Sequence, residues 1–207
     1  MHESNHPSAQ IEQIRDIMTR STTFVSLSGL SGIAAGILAF VAVWQTYRIL
    51  GTVWLGDNVF ALLRESSAPV HSLMFVFLLT LIAALIAAFF FTWRRVRGLG
   101  QELWNMASKR FAIHLALPLL AGGIFALALL QRGAFELICP TMLVFFGVAL
   151  LNAGKYSFSE TIVLGVIELV LGLIAAVWVE SGLVLWGIGF GAITAGYGIV
   201  MFLKYER

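Results

Sequence analysis

The stretch HSLMFVFLLTLIAALIAAFFFTW, residues 71–93, runs for 23 positions without an acidic residue, a lysine or an arginine. At about 1.5 Å of helical rise per residue it is long enough to cross a hydrocarbon layer roughly 30 Å thick. Its apolar side chains lie on every side, neither confined to one face nor alternating. That pattern fits a transmembrane helix, which satisfies its own backbone hydrogen bonds, and does not fit a strand of a membrane barrel.

Five further apolar runs surround it, near residues 22–47, 111–131, 136–152, 160–179 and 183–203. Together they predict an all-α, polytopic membrane protein with six transmembrane helices arranged as three helical hairpins. The expected organisation is a tail, 1–21, with a short amphipathic helix, then a single transmembrane domain, 22–207, with hairpins 22–93, 111–152 and 160–203. The composition agrees, with 59% hydrophobic residues, 12% charged residues and a mean hydropathy of +0.92. A soluble domain carries about 25% charged residues, so a water-soluble globule is excluded. The near balance of 13 basic and 11 acidic residues argues against nucleic acid as a partner.

The basic residues give the expected orientation. With the N-terminus in the cytoplasm, ten of the 13 lie inside: Arg15, Arg20, Arg94, Arg95, Arg97, Lys109, Arg110, Lys155, Lys204 and Arg207. Arg48, Arg64 and Arg132 face out. Both termini are therefore expected in the cytoplasm. The polar, mixed-charge first 20 residues lack the short apolar region of a cleaved leader. In the tail, Ile11, Ile14, Ile17 and Met18 recur at helical spacing beside Glu12, Arg15, Asp16 and Arg20, as in a surface-lying helix. The long first outer connector carries Val59, Phe60, Leu62 and Leu63 next to Asp57, Arg64 and Glu65, which fits a short interfacial helix or a lid over the bundle. Trp93 and Trp104 flank the basic segment between the second and third spans, suited to anionic headgroups.

Small residues supply the packing faces. Ser28, Gly32, Ala35, Gly36 and Ala39 form one stripe on the first span, and the sixth carries Gly187, Gly191 and Gly196. Such stripes let backbones approach closely, within one chain or between copies in a homo-oligomer. The spacing Gly187-x-Gly189-x-Gly191 lies inside a span with no strand before it and so does not read as a nucleotide loop. At an offset of 49 the last two hairpins align without gaps, pairing Gly123 with Gly172, Ala126 with Ala175, Gly133 with Gly182, Gly147 with Gly196, Lys155 with Lys204 and Tyr156 with Tyr205. That alignment reads as a parallel repeat, a device that some transporters use and that alone assigns no function.

Ionisable groups inside a span are costly and are functional candidates by default. Glu168 and His114 qualify, both expected in the cytoplasmic half and able to pair. Pro118 frees the carbonyl of His114, because proline has no N–H to bond it. Asn152, Thr161, Thr194 and Tyr197 are candidates to complete a polar pocket. Such a site would bind a cation or carry a proton; alternatively, a protonated Glu168 bonded to a neighbouring helix simply holds the bundle together. His71 is expected at the outer interface. No catalytic set, metal-ligand pair or cofactor motif is present, and the single cysteine, Cys139, has no basic neighbour to activate it.

Four stretches, SLSGLSG at 26–32, Gly154-Lys155-Tyr156, LGVIEL at 164–169 and FLKYER at 202–207, resemble an uncharacterised family of bacterial six-helix inner-membrane proteins. The likeness covers essentially the whole chain and implies a bacterial inner (plasma) membrane location. The leading expectation is a non-enzymatic interaction, sensing or scaffold component, whose partners are the lipid bilayer and either a membrane protein or a second copy. The alternative is a carrier of a small ion or metabolite using Glu168 and His114.

Overall fold

The computed structural model describes residues 28–51, 60, 63, 68–98 and 106–207. The tail with its amphipathic pattern, the start of the first apolar run, most of the first connector and Trp104 lie outside these residues. Six helices are long and apolar enough to cross a membrane. We label them α1 (Gly29–Leu50), α2 (Ala68–Gly98), α3 (Met106–Gln131), α4 (Ile138–Gly154), α5 (Ser159–Val177) and α6 (Val179–Tyr205). One 3₁₀ turn, Phe135–Leu137, leads into α4. α6 is composite: a 3₁₀ turn Val179–Ser181, an α segment Gly182–Trp186, a π segment Gly187–Ile193 and an α segment Thr194–Tyr205.

The helix ends follow local chemistry. Gly51 closes α1 at φ 67°, its N–H bonding the carbonyls of Arg48 and Tyr47. α2 runs past its apolar core to Gly98, where Arg95 and Arg97 oppose the negative end of the helix dipole. Between α3 and α4, Gly133 at φ 69° lets the chain reverse while Ala134 N–H bonds Leu129 O at 3.0 Å. The turn after α4 is held by Tyr156 N–H on Ala153 O at 2.9 Å.

α1 packs on α2 and on α6, α3 on α4, and α4 on α5, while the first part of α6 lies against α4 and α5. The small stripe of α1 meets α6 of the same chain. A methyl group on Gly36 would lie 2.6 Å from Ala195 Cβ and 2.6 Å from Gly191 O, and one on Gly32 would lie 3.0 Å from Gly198 Cα. Gly187 faces Val43, and Gly191 faces the Phe40 ring at 3.0 Å by the same measure. Gly196 departs from this pattern: among the described residues a methyl group there meets nothing within 4 Å, so it is not a packing glycine between these helices.

A second close approach, between α4 and α5, rests on glycines outside the two expected stripes. A methyl on Gly147 would sit 2.6 Å from Leu169 N, and one on Gly165 would sit 2.9 Å from Leu151 N. Of the residues paired at an offset of 49, two glycine pairs do not share environments, while Lys155 and Lys204 are both exposed and Tyr156 and Tyr205 both half-buried. Gly172 is pressed on Val144 where Gly123 is open, and Gly147 is enclosed where Gly196 is free.

The principal core joins Ala39 and Ala42 of α1, Leu73 of α2, Cys139 and Leu143 of α4, Ala175 of α5, and Leu183 and Trp186 of α6. Phe60 and Leu63 of the first connector are buried in this core. Rings of three helices adjoin in series: Phe77 edge-on to Trp186 at 5.2 Å, Trp186 beside Phe190 at 4.9 Å, and Phe190 stacked on Phe146 at 4.7 Å. By contrast, α2 and α3 expose Phe75, Leu78, Leu85, Ile86, Leu117, Leu120 and Ile124, side chains that a hydrocarbon solvent accommodates.

Candidate functional site

Glu168 is the tenth of the 19 residues of α5, at mid-span. α5 stops at Val177 and the chain turns there through Trp178. The buried stripe of α5, Thr161, Leu164, Gly165, Glu168, Gly172 and Ala175, repeats at helical spacing and carries the carboxyl inward. Its exposure is 0%.

α6 receives the carboxyl with an unusual piece of backbone. π-helical turns are rare and concentrate at functional sites. Here the π segment Gly187–Ile193 leads into Thr194, whose backbone N–H bonds Gly189 O in the i to i−5 pattern. The Thr194 hydroxyl lies 3.1 Å from the same Gly189 carbonyl and 3.3 Å from Glu168 Oε1. Glu168 Oε2 fills the space beside Gly189 that a side chain would occupy, with Leu143 of α4 closing the other side. Among the described residues Oε2 has no hydrogen-bond partner. A bare charge at the centre of a span costs roughly 2.5–3.5 kcal/mol by insertion scales, so the enclosure of this group by one hydroxyl, a glycine and a leucine is the least bland feature of the molecule.

A second polar pair lies on the same interface. Thr161, also fully buried, and Tyr197 join α5 and α6 through hydroxyls 2.8 Å apart. At the neighbouring end of these helices Glu160 pairs with Lys204 and accepts the Tyr205 hydroxyl at 3.1 Å. Polar side chains thus mark the α5–α6 contact from its end to its middle.

The structure does not bring His114 to Glu168. The His114 ring lies against Tyr156, centroids 4.7 Å apart, and its Nδ1 is 2.8 Å from Arg110 O in the preceding turn. Nothing bonds it to α5 among the described residues, since α3 reaches the bundle through α4. Asn152 lies half-buried near the end of α4. Pro118 is buried within an unbroken α3. His71 is exposed in the first turn of α2. Of the expected pocket, the structure therefore gathers Glu168 with Thr194, and Tyr197 with Thr161.

Gly189 and the π segment were not legible as part of a site, although the Gly-x-Gly-x-Gly run was visible as packing. The available signal was a glycine lacking a four-residue partner in a span opposite the sole mid-span acid. No group of three or more His, Cys, Asp or Glu able to hold a metal occurs among the described residues. Searches for a matching protein family, a similar curated protein or a similar solved structure find none.

Proposed function

We propose that this chain is a non-enzymatic component of a bacterial inner membrane, acting in interaction, sensing or scaffolding, in the family that its four sequence stretches resemble. It spans the bilayer as three helical hairpins with both termini in the cytoplasm. The ten basic residues assigned to the inner side support that orientation. Lipid is its solvent, and a membrane protein or a second copy is its partner.

The observation that carries this reading is the closure of Glu168. A carrier needs its central acid to be reachable from one aqueous side, whereas this carboxyl is wholly covered and held by a hydroxyl of the adjoining helix. The test is flux in vesicles containing the purified chain under an imposed pH gradient. No chain-dependent movement of protons or alkali cations is expected. A flux lost in Glu168→Gln would replace this reading with the carrier alternative, which the three separate polar contacts spaced along α5 and α6, at Glu160, at Thr161 and at Glu168, favour.

A further inference from the structure

The hydrogen-bond inventory around Thr194 constrains Glu168. A hydroxyl has one proton to give and two lone pairs to receive. Thr194 Oγ1 stands between two oxygens, Gly189 O at 3.1 Å and Glu168 Oε1 at 3.3 Å. The carbonyl can only accept. If Thr194 donates to Gly189, the contact with Glu168 is a hydrogen bond only when Glu168 carries the proton. If Glu168 is ionised, it takes the Thr194 proton and Gly189 O keeps the backbone N–H alone.

We infer that Glu168, Thr194 and Gly189 form a proton-binding site whose occupancy sets the state of the π segment in α6. With the proton on Oε1, donors run in one direction, from Glu168 to Thr194 to Gly189, and the π turn is bonded through both the hydroxyl and the amide of Thr194. The carboxyl is covered at rest, so the proton passes to water only during a transient opening of the α5–α6 contact; the hydroxyl then swings to the carboxylate and the π turn loses its side-chain tie to Thr194. The ligand is a proton rather than a metal cation, because Leu143 and Gly189 already fill the space beside Oε2.

Among the described residues no charged group is bonded to this carboxyl. The titratable groups on the elements packed against α5 are Cys139 on α4, Glu136 and Glu180 at one end, Tyr197 bonded to Thr161, and Lys204 and Tyr205 bonded to Glu160 at the other. A change of charge at Glu168 is therefore felt first by the π segment. This inference deepens the sensing part of the proposed function and rests on it for the membrane setting.

Amide hydrogen exchange of the full chain in phospholipid vesicles, read for residues 187–194 and divided by the intrinsic rate at each pH, tests it. Wild-type protection is expected to fall about fivefold as pH rises through the range that ionises Glu168, the factor given by one net hydrogen bond. Glu168→Gln, whose amide donates to Thr194 at every pH, should stay protected. Thr194→Val, which keeps the acid but removes the relay, should lose the pH dependence. Equal pH profiles for wild type and Glu168→Gln overturn the inference. So does an infrared spectrum of wild type at neutral pH without the protonated-carboxyl stretch that Glu168→Gln removes. Resistance of the same vesicles to carbonate extraction reports membrane integration separately, so the proton site fails alone when an integrated chain shows equal profiles.

Discussion

Arg95, near the end of α2, donates from Nη1 to Oε1 of Glu206 at 2.8 Å, and both side chains are nearly covered. The same carboxyl accepts the backbone N–H of Gly29, the first residue of α1, while Ser28 Oγ approaches Oε2 at 3.4 Å. Arg95 Nη2 also reaches Tyr205 O at 3.2 Å. One carboxylate therefore caps the positive end of α1 and neutralises an arginine at the negative end of α2.

Removing that carboxylate leaves Arg95 covered and α1 uncapped. Glu206→Ala is expected to cost about 3–5 kcal/mol, the range for breaking a covered ion pair from one side. Arg95→Ala is expected to cost less, since Glu206 retains Gly29. Reversible unfolding of both variants and of the double variant in mixed micelles measures the difference, and additive losses would contradict a shared carboxylate.

Two glycines on α6 and α1 should respond in opposite directions. Gly36→Ala places a methyl 2.6 Å from Ala195 Cβ and Gly191 O, and is expected to destabilise by about 1–3 kcal/mol through overpacking. Gly196→Ala meets open space and gains helix propensity of about 0.8–1.0 kcal/mol. Unfolding midpoints of the two variants decide it; equal losses would mean that Gly196 contacts something beyond the described residues.

The six helices were legible because each apolar run approaches or exceeds the length that spans a membrane, a length signal that tertiary packing does not override. Glu168 was legible as the acid that no interface explains. Thr194, which it bonds, stood among the candidate pocket residues, but which of those candidates would meet it was not legible, since the alignment of α5 with α6 depends on a π segment whose extra residue shifts every later side chain on the helix. His114 misled for a related reason. Depth in the membrane can be counted along a helix, but the neighbour it faces depends on packing, and α3 reaches the bundle through α4 rather than α5. Gly147 and Gly165 escaped notice as a pair because their contact lies between helices, although Gly165 and Gly172 are seven residues apart, two turns on one face.

The space beside Gly189 is shared with Glu168, and the two positions should therefore be coupled. Gly189→Ala drives a methyl into Oε2 and to 2.7 Å from Leu143 Cδ2. A loss of about 1–3 kcal/mol is expected in the wild-type background. In Glu168→Ala the vacated volume receives the methyl, and the same change should cost markedly less. A double-mutant cycle on unfolding free energies reads the coupling, and a coupling of zero would show that the carboxyl does not occupy that space.

Thr161 and Tyr197 offer a matched test of what a hydroxyl pair contributes between α5 and α6. Tyr197→Phe removes one partner of the 2.8 Å contact and leaves the Thr161 hydroxyl, which is fully buried, to seek a backbone carbonyl of its own helix. Hydrogen bonds between membrane helices average about 0.6 kcal/mol, so the single variant is expected to lose about that much, with somewhat more if Thr161 stays unsatisfied. Adding Thr161→Val removes the stranded donor and should restore part of the loss, because deleting both partners avoids an unpaired polar group. If the double variant is less stable than either single one, the pair is not an isolated contact. Its hydroxyls would then belong to the line of polar groups that ends at Glu168, and the carrier reading would gain the ground that the structural one lost.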